Sequence, residues 1–446
     1  MRNVRKLCLG LSAISLLILI IGLVTQNPQL WQPAALAFAV SASIGIDIIP
    51  LLENYQYTAW IITAVVAGMI YPSAFLNWGS FDLRNKWLIL LVVQLVMFGM
   101  GIQMALKDFT GLASSGKGVL IGLLCQFSIM PTVGFLLTKV FDFEPEVAAG
   151  VVLIGACSSG LASNVMTYIA RGNLPLSVTV TAIATLIAPI MTPFMMRMFA
   201  GTLIEVKFLN MMMEIIKIVI VPIGAALLHD YLKTASPWGW NIVRLISGIS
   251  ALWLLALPFG VWTYLSNNLA ENVLQSVEIF SFFAGAVLVG LGYHLLSRSL
   301  PKLDSFMPYL SMFGIVYFTT VTTAAGRDNL LNVGLILFLA AVIHNAAGYF
   351  LGYWLSRAFG LNRNSARTIA FEVGLQNGGM ASGLAGSMGK LGTVGLAAAV
   401  FSPWMNISGS ILANYWRKQV INEEQAALNK EELSENDAIA TPKATL

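Results

Sequence analysis

Long uncharged stretches constrain this chain more than anything else in it. About fourteen apolar runs follow one another along its 446 residues, most near the roughly 20 residues that a helix needs to cross a bilayer's hydrocarbon core. They fall at 7–25, 34–50, 57–73, 87–105, 118–138, 147–169, 174–200, 208–229, 243–264, 275–296, 306–325, 331–356, 368–388 and 391–415. Within hydrocarbon each backbone N–H and C=O must be satisfied inside its own segment, so these runs predict an all-α polytopic membrane protein. The run at 34–50 is short and holds Asp47, which reads as the mark of a helix end. The first run is ~19 residues long, beyond the 7 to 15 of a signal-peptide core, and reads as an anchor that stays. Charged residues make up only 10% of the chain, against about 25% in soluble domains, which excludes a cytosolic globular enzyme. The 25 Lys and Arg nearly balance the 21 Asp and Glu, and no basic patch for nucleic acid emerges. Cys8, Cys125 and Cys157 lie singly in apolar runs, with neither disulfide nor zinc spacing.

If the N-terminus is cytoplasmic and the runs alternate, the cytoplasmic ends gather Arg2, Arg5, Lys6, Lys117, Arg171, Arg298, Arg363, Arg367 and Arg417. The opposite side keeps Arg84, Lys86, Lys139, Arg197, Lys207, Arg327 and Lys390, together with the acidic stretches Asp142-Phe143-Glu144 and Glu271 to Glu278. This is the positive-inside pattern. It predicts a plasma (inner) membrane protein with both termini cytoplasmic and a disordered tail from about Gln419 to Leu446.

Polar side chains inside spans are costly, and their clusters point to function. One cluster is Gly155-Ala156-Cys157-Ser158-Ser159-Gly160-Leu161-Ala162-Ser163-Asn164, followed by Ser177 and Thr181 on one face of the next run. It reads as a broken helix lining a cavity, or as small residues in close helix packing. The second, Glu372-Val373-Gly374-Leu375-Gln376-Asn377 with Gly378-Gly379, sets a carboxylate and two amides in a span, a combination packing does not require. Gln126 is the third, either a ligand or a helix–helix hydrogen bond. At 1.5 Å per residue, Asn164 lies ~10 Å from Arg171, Thr181 ~15 Å from the same turn, Gln126 ~14 Å from Lys117 and Glu372 ~8 Å from Arg367, so the clusters can share one level. Hydroxyls, amide oxygens and one carboxylate suit a small hard cation. The segments 159–164 and 378–383 also resemble each other, as an inverted repeat with interrupted helices would require.

These runs resemble the bile acid:sodium symporter family, bacterial type: Ser163-Asn164-Val165-Met166-Thr167-Tyr168, Ala170-Arg171-Gly172-Asn173, Ser177, Thr181 and 372–377. Further agreement comes from Phe98-Gly99-Met100-Gly101, Gln126 to Pro131, His344-Asn345 and Asn406-Ile407-Ser408-Gly409-Ser410. The resemblance covers 57–230 and 303–418. It implies ten helices in two inverted repeats, with two crossing discontinuous helices and core plus panel domains. The implied division is an extra hairpin at 1–56, panel helices at 57–115, core at 116–202, panel at 203–240, an inserted hairpin at 241–300, panel at 301–328, core at 329–418 and a tail at 419–446.

By the same resemblance, one sodium rests on Ser163, Asn164, Ser177, Thr181 and Glu372. A second rests on Gln126, Glu372, Gln376 and the carbonyls of Val373 and Leu375. Asn164, Asn377, Leu161, Met405 and Asn406 face an organic anion, bile acid-like or keto/hydroxy acid-like. The implied function is sodium-coupled symport by alternating access, with no cofactor beyond the coupling ions. A sodium-independent facilitator or exporter is the alternative, and an intramembrane serine hydrolase on Ser158 or Ser159 a remote one.

Two departures stand out. Relatives often carry Cys-Pro-Gly-Gly-Thr where this chain has Cys157-Ser158-Ser159-Gly160-Leu161, and Met405 stands where a bacterial relative has His. Both are expected to touch the substrate crevice rather than the sodium ligands. The extra hairpins are expected to enlarge the panel or to form a homodimer contact. Glu214 and Lys217 are expected to pair, while His229, His294 and His344 are expected not to cluster.

Overall fold

The structure, a computed structural model, describes residues 2–49, 52, 55–110 and 112–440. It is helical almost throughout. The first helices are α1 (Arg2–Val24), α2 (Pro28–Gly45), α3 (Gln56–Ile70), α4 (Pro72–Leu76), α5 (Lys86–Ile102), α6 (Leu106–Thr110) and α7 (Leu112–Val140). They are followed by α8 (Pro145–Ala156), α9 (Leu161–Ile169), α10 (Leu174–Ala200), α11 (Phe208–Ile215), α12 (Val221–Thr234), α13 (Pro237–Ala256) and α14 (Val261–Asn268). The remainder are α15 (Glu271–Ser299), α16 (Leu303–Ala325), α17 (Arg327–Ala358), α18 (Arg363–Gly374), α19 (Gly378–Ser387) and α20 (Leu396–Ala440). The one sheet among the described residues is a hairpin of β1 (Asn77–Trp78) and β2 (Phe81–Asp82), turned at Gly79, whose φ of +62° suits a residue without Cβ.

Nine helical segments among the described residues are long and apolar enough to cross a membrane, α1, α7, α10, α15 and α17 among them. Others fall short of a full span: α3 and α5 have 15 and 17 residues, and the runs at 147–169 and 368–388 are each split into a pair of half-helices. Those splits create the site.

Helices α7, α8, α10, α17, α18 and α20 pack into one bundle. Beside it α3 packs on α16, α16 on α5 and α5 on α12, with α19 lying against α5. The extra segments attach to this second group, α2 on α3 and α15 on α12. Between α11 and α12 the chain widens into a π-helical turn, Ile216–Ile220, and the Lys217 carbonyl accepts the Gln94 amide at 3.1 Å.

Several sequence expectations are revised here. Asp47 does close α2, in a short 3-10 turn, but it also forms an ion pair with Arg5. Lys217 bonds Glu214 at 2.9 Å as expected, and also Glu278 of the inserted hairpin at 3.0 Å. His229 and His294 were expected apart, yet their rings lie 5.2 Å centre to centre, because α15 packs on α12 and brings together residues 65 positions apart. The tail, expected to be disordered from about Gln419, continues α20 as helix to Ala440. Its Glu, Gln, Ala, Lys and Leu are strong helix formers, and the preceding turns have already met the cost of nucleation. Residues 441–446 lie outside the described residues.

Candidate functional site

Two interruptions build the site. Helix α8 stops at Ala156, Cys157 and Gly160 are extended, and α9 restarts at Leu161. The Ser158-Ser159-Gly160 sequence favours this, since serine side chains compete for backbone groups and glycine adds freedom. Helix α18 stops at Gly374, Leu375 is extended, and Asn377 caps α19 by accepting the Met380 N–H at 2.9 Å.

The two breaks run antiparallel and bond each other. Gly160 N–H donates to the Leu375 carbonyl at 3.0 Å and Asn377 N–H to the Ser158 carbonyl at 2.9 Å, with Ser159 opposite Gln376. Two N–H and two carbonyl groups freed at the breaks are thereby satisfied within the protein. A Cβ on Gly160 would lie 3.0 Å from the Gln376 carbonyl oxygen, a tight contact that glycine avoids. The N-termini of α9 and α19 both begin at this crossing and bring their positive dipole ends to it.

Glu372 sits fully buried on α18. Its Oε1 accepts the Ser177 hydroxyl at 2.5 Å, and its Oε2 accepts Ser159 at 2.6 Å and Thr181 at 2.8 Å. Ser177 also reaches Asn164 Oδ1 at 2.8 Å, and Ser163 lies 3.3 Å from Thr181. All five residues expected at the first ion site therefore converge, drawn from α9, α10 and α18. Among the described residues no ion pair involves Glu372. An ionised carboxylate buried without a counter-charge is far more costly than a paired one. Also among the described residues, no three His, Cys, Asp or Glu side chains group as a transition metal would need. Hydroxyl, amide and carboxylate oxygens are what remains, and these suit a small hard cation.

The second expected set is only partly assembled. Gln126 Nε2 donates to the Cys157 carbonyl and to Gln376 Oε1, each at 2.9 Å, and Gln376 Nε2 donates to the Val373 carbonyl at 2.6 Å. The Leu375 carbonyl is taken by Gly160 N–H, and the carboxylate of Glu372 accepts from Ser177 and Thr181 of the first set and from Ser159, which belongs to neither set. Gln126 Oε1 is buried and has no hydrogen-bond partner among the described residues, an orphaned acceptor that a cation would satisfy.

Of the residues expected to face an anion, Asn164 and Asn377 are at the crossing. Asn377 is buried, with its Nδ2 3.9 Å from the sulfur of Met100 on α5. Leu161 opens α9. Met405 and Asn406 are buried on α20, where Asn406 Nδ2 bonds the Ser402 carbonyl of its own helix at 2.8 Å. Ser402 in turn abuts Gly378, where a Cβ would fall 2.1 Å from the serine hydroxyl. Neither Ser158 nor Ser159 hydrogen-bonds a histidine among the described residues; His344 Nε2 pairs with the Met130 carbonyl at 2.8 Å.

Sequence reasoning missed Ser159 as a partner of Glu372. It also missed the tie between the α9–α10 turn and α18, where Asn173 N–H donates to Thr368 Oγ1 at 2.8 Å. Only the adjacency of Asn173 to the Arg171-Gly172 turn hinted at the second.

A helical membrane protein with interrupted helices crossing at a buried, ion-suited carboxylate has the construction of a secondary transporter. Residues 90–272 match the Sodium Bile acid symporter family model. The chain is 31% identical to the uncharacterized sodium-dependent transporter YocS of Bacillus subtilis over 393 residues, 87% of this chain and all of that one. It is 28% identical to the human ileal sodium/bile acid cotransporter over 64% of this chain and 65% of that one. The Arabidopsis thaliana protein named "Probable sodium/metabolite cotransporter BASS1, chloroplastic" is 29% identical over 81% of this chain and 73% of its own. The chain belongs to the sodium bile acid symporter family; it is a multi-pass membrane transporter and not an enzyme.

Proposed function

We propose that this transporter couples sodium to the import of a small or amphipathic organic anion. The observation that carries the reading is Glu372, a fully buried carboxylate held by hydroxyls, with no cationic side chain paired to it among the described residues. One sodium rests on Ser163, Asn164, Ser177, Thr181 and Glu372. A second rests on Gln126, Gln376, Glu372 and the Val373 and Leu375 carbonyls, once the present amide pairing reorients. The anion lies against Asn164, Asn377 and the dipole ends of α9 and α19, with Leu161, Met405 and Asn406 shaping its crevice. The names of the relatives, with bile acid or metabolite as cargo, support this class of solute.

In this reading α7–α10 and α17–α20 form two inverted halves of a core that moves against a panel of α3, α5, α11–α12 and α16. Fourteen crossings result, with both termini cytoplasmic. The inserted hairpins extend the panel, since α2 and α15 pack on it. Two sodium ions entering with a monovalent anion carry net charge, so the membrane potential adds ~2.3 kcal/mol per charge per 100 mV to the sodium gradient.

The test is thermal stability of the purified protein in sodium against equal potassium, for the wild type and Glu372→Gln. A sodium-specific rise that the variant loses is the expected result, because only the state that binds the ion is stabilised by it. No sodium response in the wild type would leave the facilitator reading, which uptake into vesicles without an ion gradient would then measure.

A further inference from the structure

We propose that Ser159, a residue with no expected role in ion binding, is an oxygen ligand of the first sodium site and sets its affinity. The inference rests on the proposed function and deepens it.

The departure at 157–161 was expected to alter the substrate crevice, but the structure directs its second serine the other way. Ser159 Oγ is fully buried and lies 2.6 Å from Glu372 Oε2. Its backbone is pinned on both sides, by the bonds of Ser158 O to Asn377 N–H and of Gly160 N–H to Leu375 O. The hydroxyl is thus held in place before any ion arrives, which lowers the ordering cost of binding. A hydroxyl has one proton and two lone pairs, so with the proton on the carboxylate Ser159 still has lone pairs for a cation.

The spacing of the oxygens supports this. Thr181 Oγ1 lies 3.4 Å from Ser159 Oγ, 3.3 Å from Ser163 Oγ and 3.4 Å from Asn164 Oδ1. Hydroxyl hydrogen bonds favour roughly 2.7–2.8 Å, so these three contacts are poor hydrogen bonds. Oxygens about 2.4 Å from a hard cation, within the range that Ca2+ adopts, stand about 3.4 Å apart at neighbouring corners of an octahedron. These three separations fit ligands arranged around a common ion, whereas the 2.6 and 2.8 Å contacts of Ser159 and Thr181 with Glu372 Oε2 are hydrogen bonds that lengthen when the ion enters. Ser159 adds an oxygen from the break to those from α9, α10 and α18.

The experiment is a sodium titration of the purified full-length protein at constant ionic strength, with potassium as the replacement ion and the melting temperature as readout. It uses the wild type, Ser159→Ala, Ser159→Cys, Ser159→Thr and Glu372→Gln. Removing a hydrogen-bonding oxygen from a charged site should raise the sodium concentration for half-maximal stabilisation roughly tenfold in Ser159→Ala and Ser159→Cys. Ser159→Thr, which keeps the hydroxyl, should stay near the wild type. The cysteine variant, close to serine in size, reports on the hydroxyl if the alanine variant does not fold.

Wild-type sodium affinity in the alanine or cysteine variant, with the response still lost in Glu372→Gln, overturns the role of Ser159 and leaves sodium coupling intact. No sodium response in the wild type overturns both.

Discussion

At the scale of single residues, a carboxylate in an apolar run was legible from the sequence because no packing role repays its desolvation. Glu372 is that residue, and Ser177 is its closest donor, at 2.5 Å on Oε1. Ser177→Ala is expected to raise the sodium requirement for uptake roughly tenfold or more, the scale of a lost hydrogen bond to a charge, as measured by initial rates against sodium concentration. Asn377 does two things: its Oδ1 caps α19 and its side chain stands where the anion is proposed to bind. Aspartate caps helices as well as asparagine does. Asn377→Asp should therefore keep the fold and the sodium-induced rise in melting temperature, yet lose uptake of the anion by like-charge repulsion. A retained uptake rate would place the anion elsewhere. Ser159 was not legible as an ion-site residue because serine in a span is ordinary helix-packing material. Only the extended backbone of the break turns its hydroxyl to a carboxylate 213 positions away.

At the scale of elements, the two breaks follow from local chemistry, glycine and serine in one and Gly374 with the Asn377 cap in the other. Close approach between helices then depends on particular glycines. A Cβ on Gly155 of α8 would come within 2.6 Å of the Met130 carbonyl oxygen on α7, whereas one on Gly248 of α13 would meet nothing within 4 Å. Gly155→Ala should therefore lower the melting temperature, by an overpacking cost of about 1–3 kcal/mol. Gly248→Ala should leave it unchanged or raise it, since alanine is the better helix former. Equal melting temperatures for the two variants would contradict the packing of α8 on α7. The boundaries of the apolar runs anticipated most helices, but not the β hairpin at 77–82 or the π turn at 216–220. Both are short, and both are set by neighbours: the Leu83 carbonyl takes the Tyr317 hydroxyl, and the Lys217 carbonyl takes Gln94.

At the scale of the whole molecule, α15 is tied to the turn before α12 and to α16 by polar contacts at two levels. Glu278 reaches Lys217 at 3.0 Å, and Tyr293 donates to Asp304 at 2.8 Å, beside His229 and Lys233. The orientation proposed from the basic residues predicts that a cysteine at Gly79 reacts with a membrane-impermeant thiol reagent added outside cells, while one at Gly172 does not. The reverse pattern would invert the whole chain. The number of apolar runs, their polar interruptions and the spacing of basic residues between them were determined by the sequence alone. Hydrophobic length, the cost of a buried carboxylate and the distribution of charge between apolar runs are all properties of the linear chain. Tertiary structure alone decided that the two breaks run antiparallel, that Ser159 joins Glu372, that His229 meets His294 and that Glu278 completes the Lys217 pair. Each depends on which helices become neighbours, and residues tens to hundreds of positions apart carry no local signal of the contact they will make.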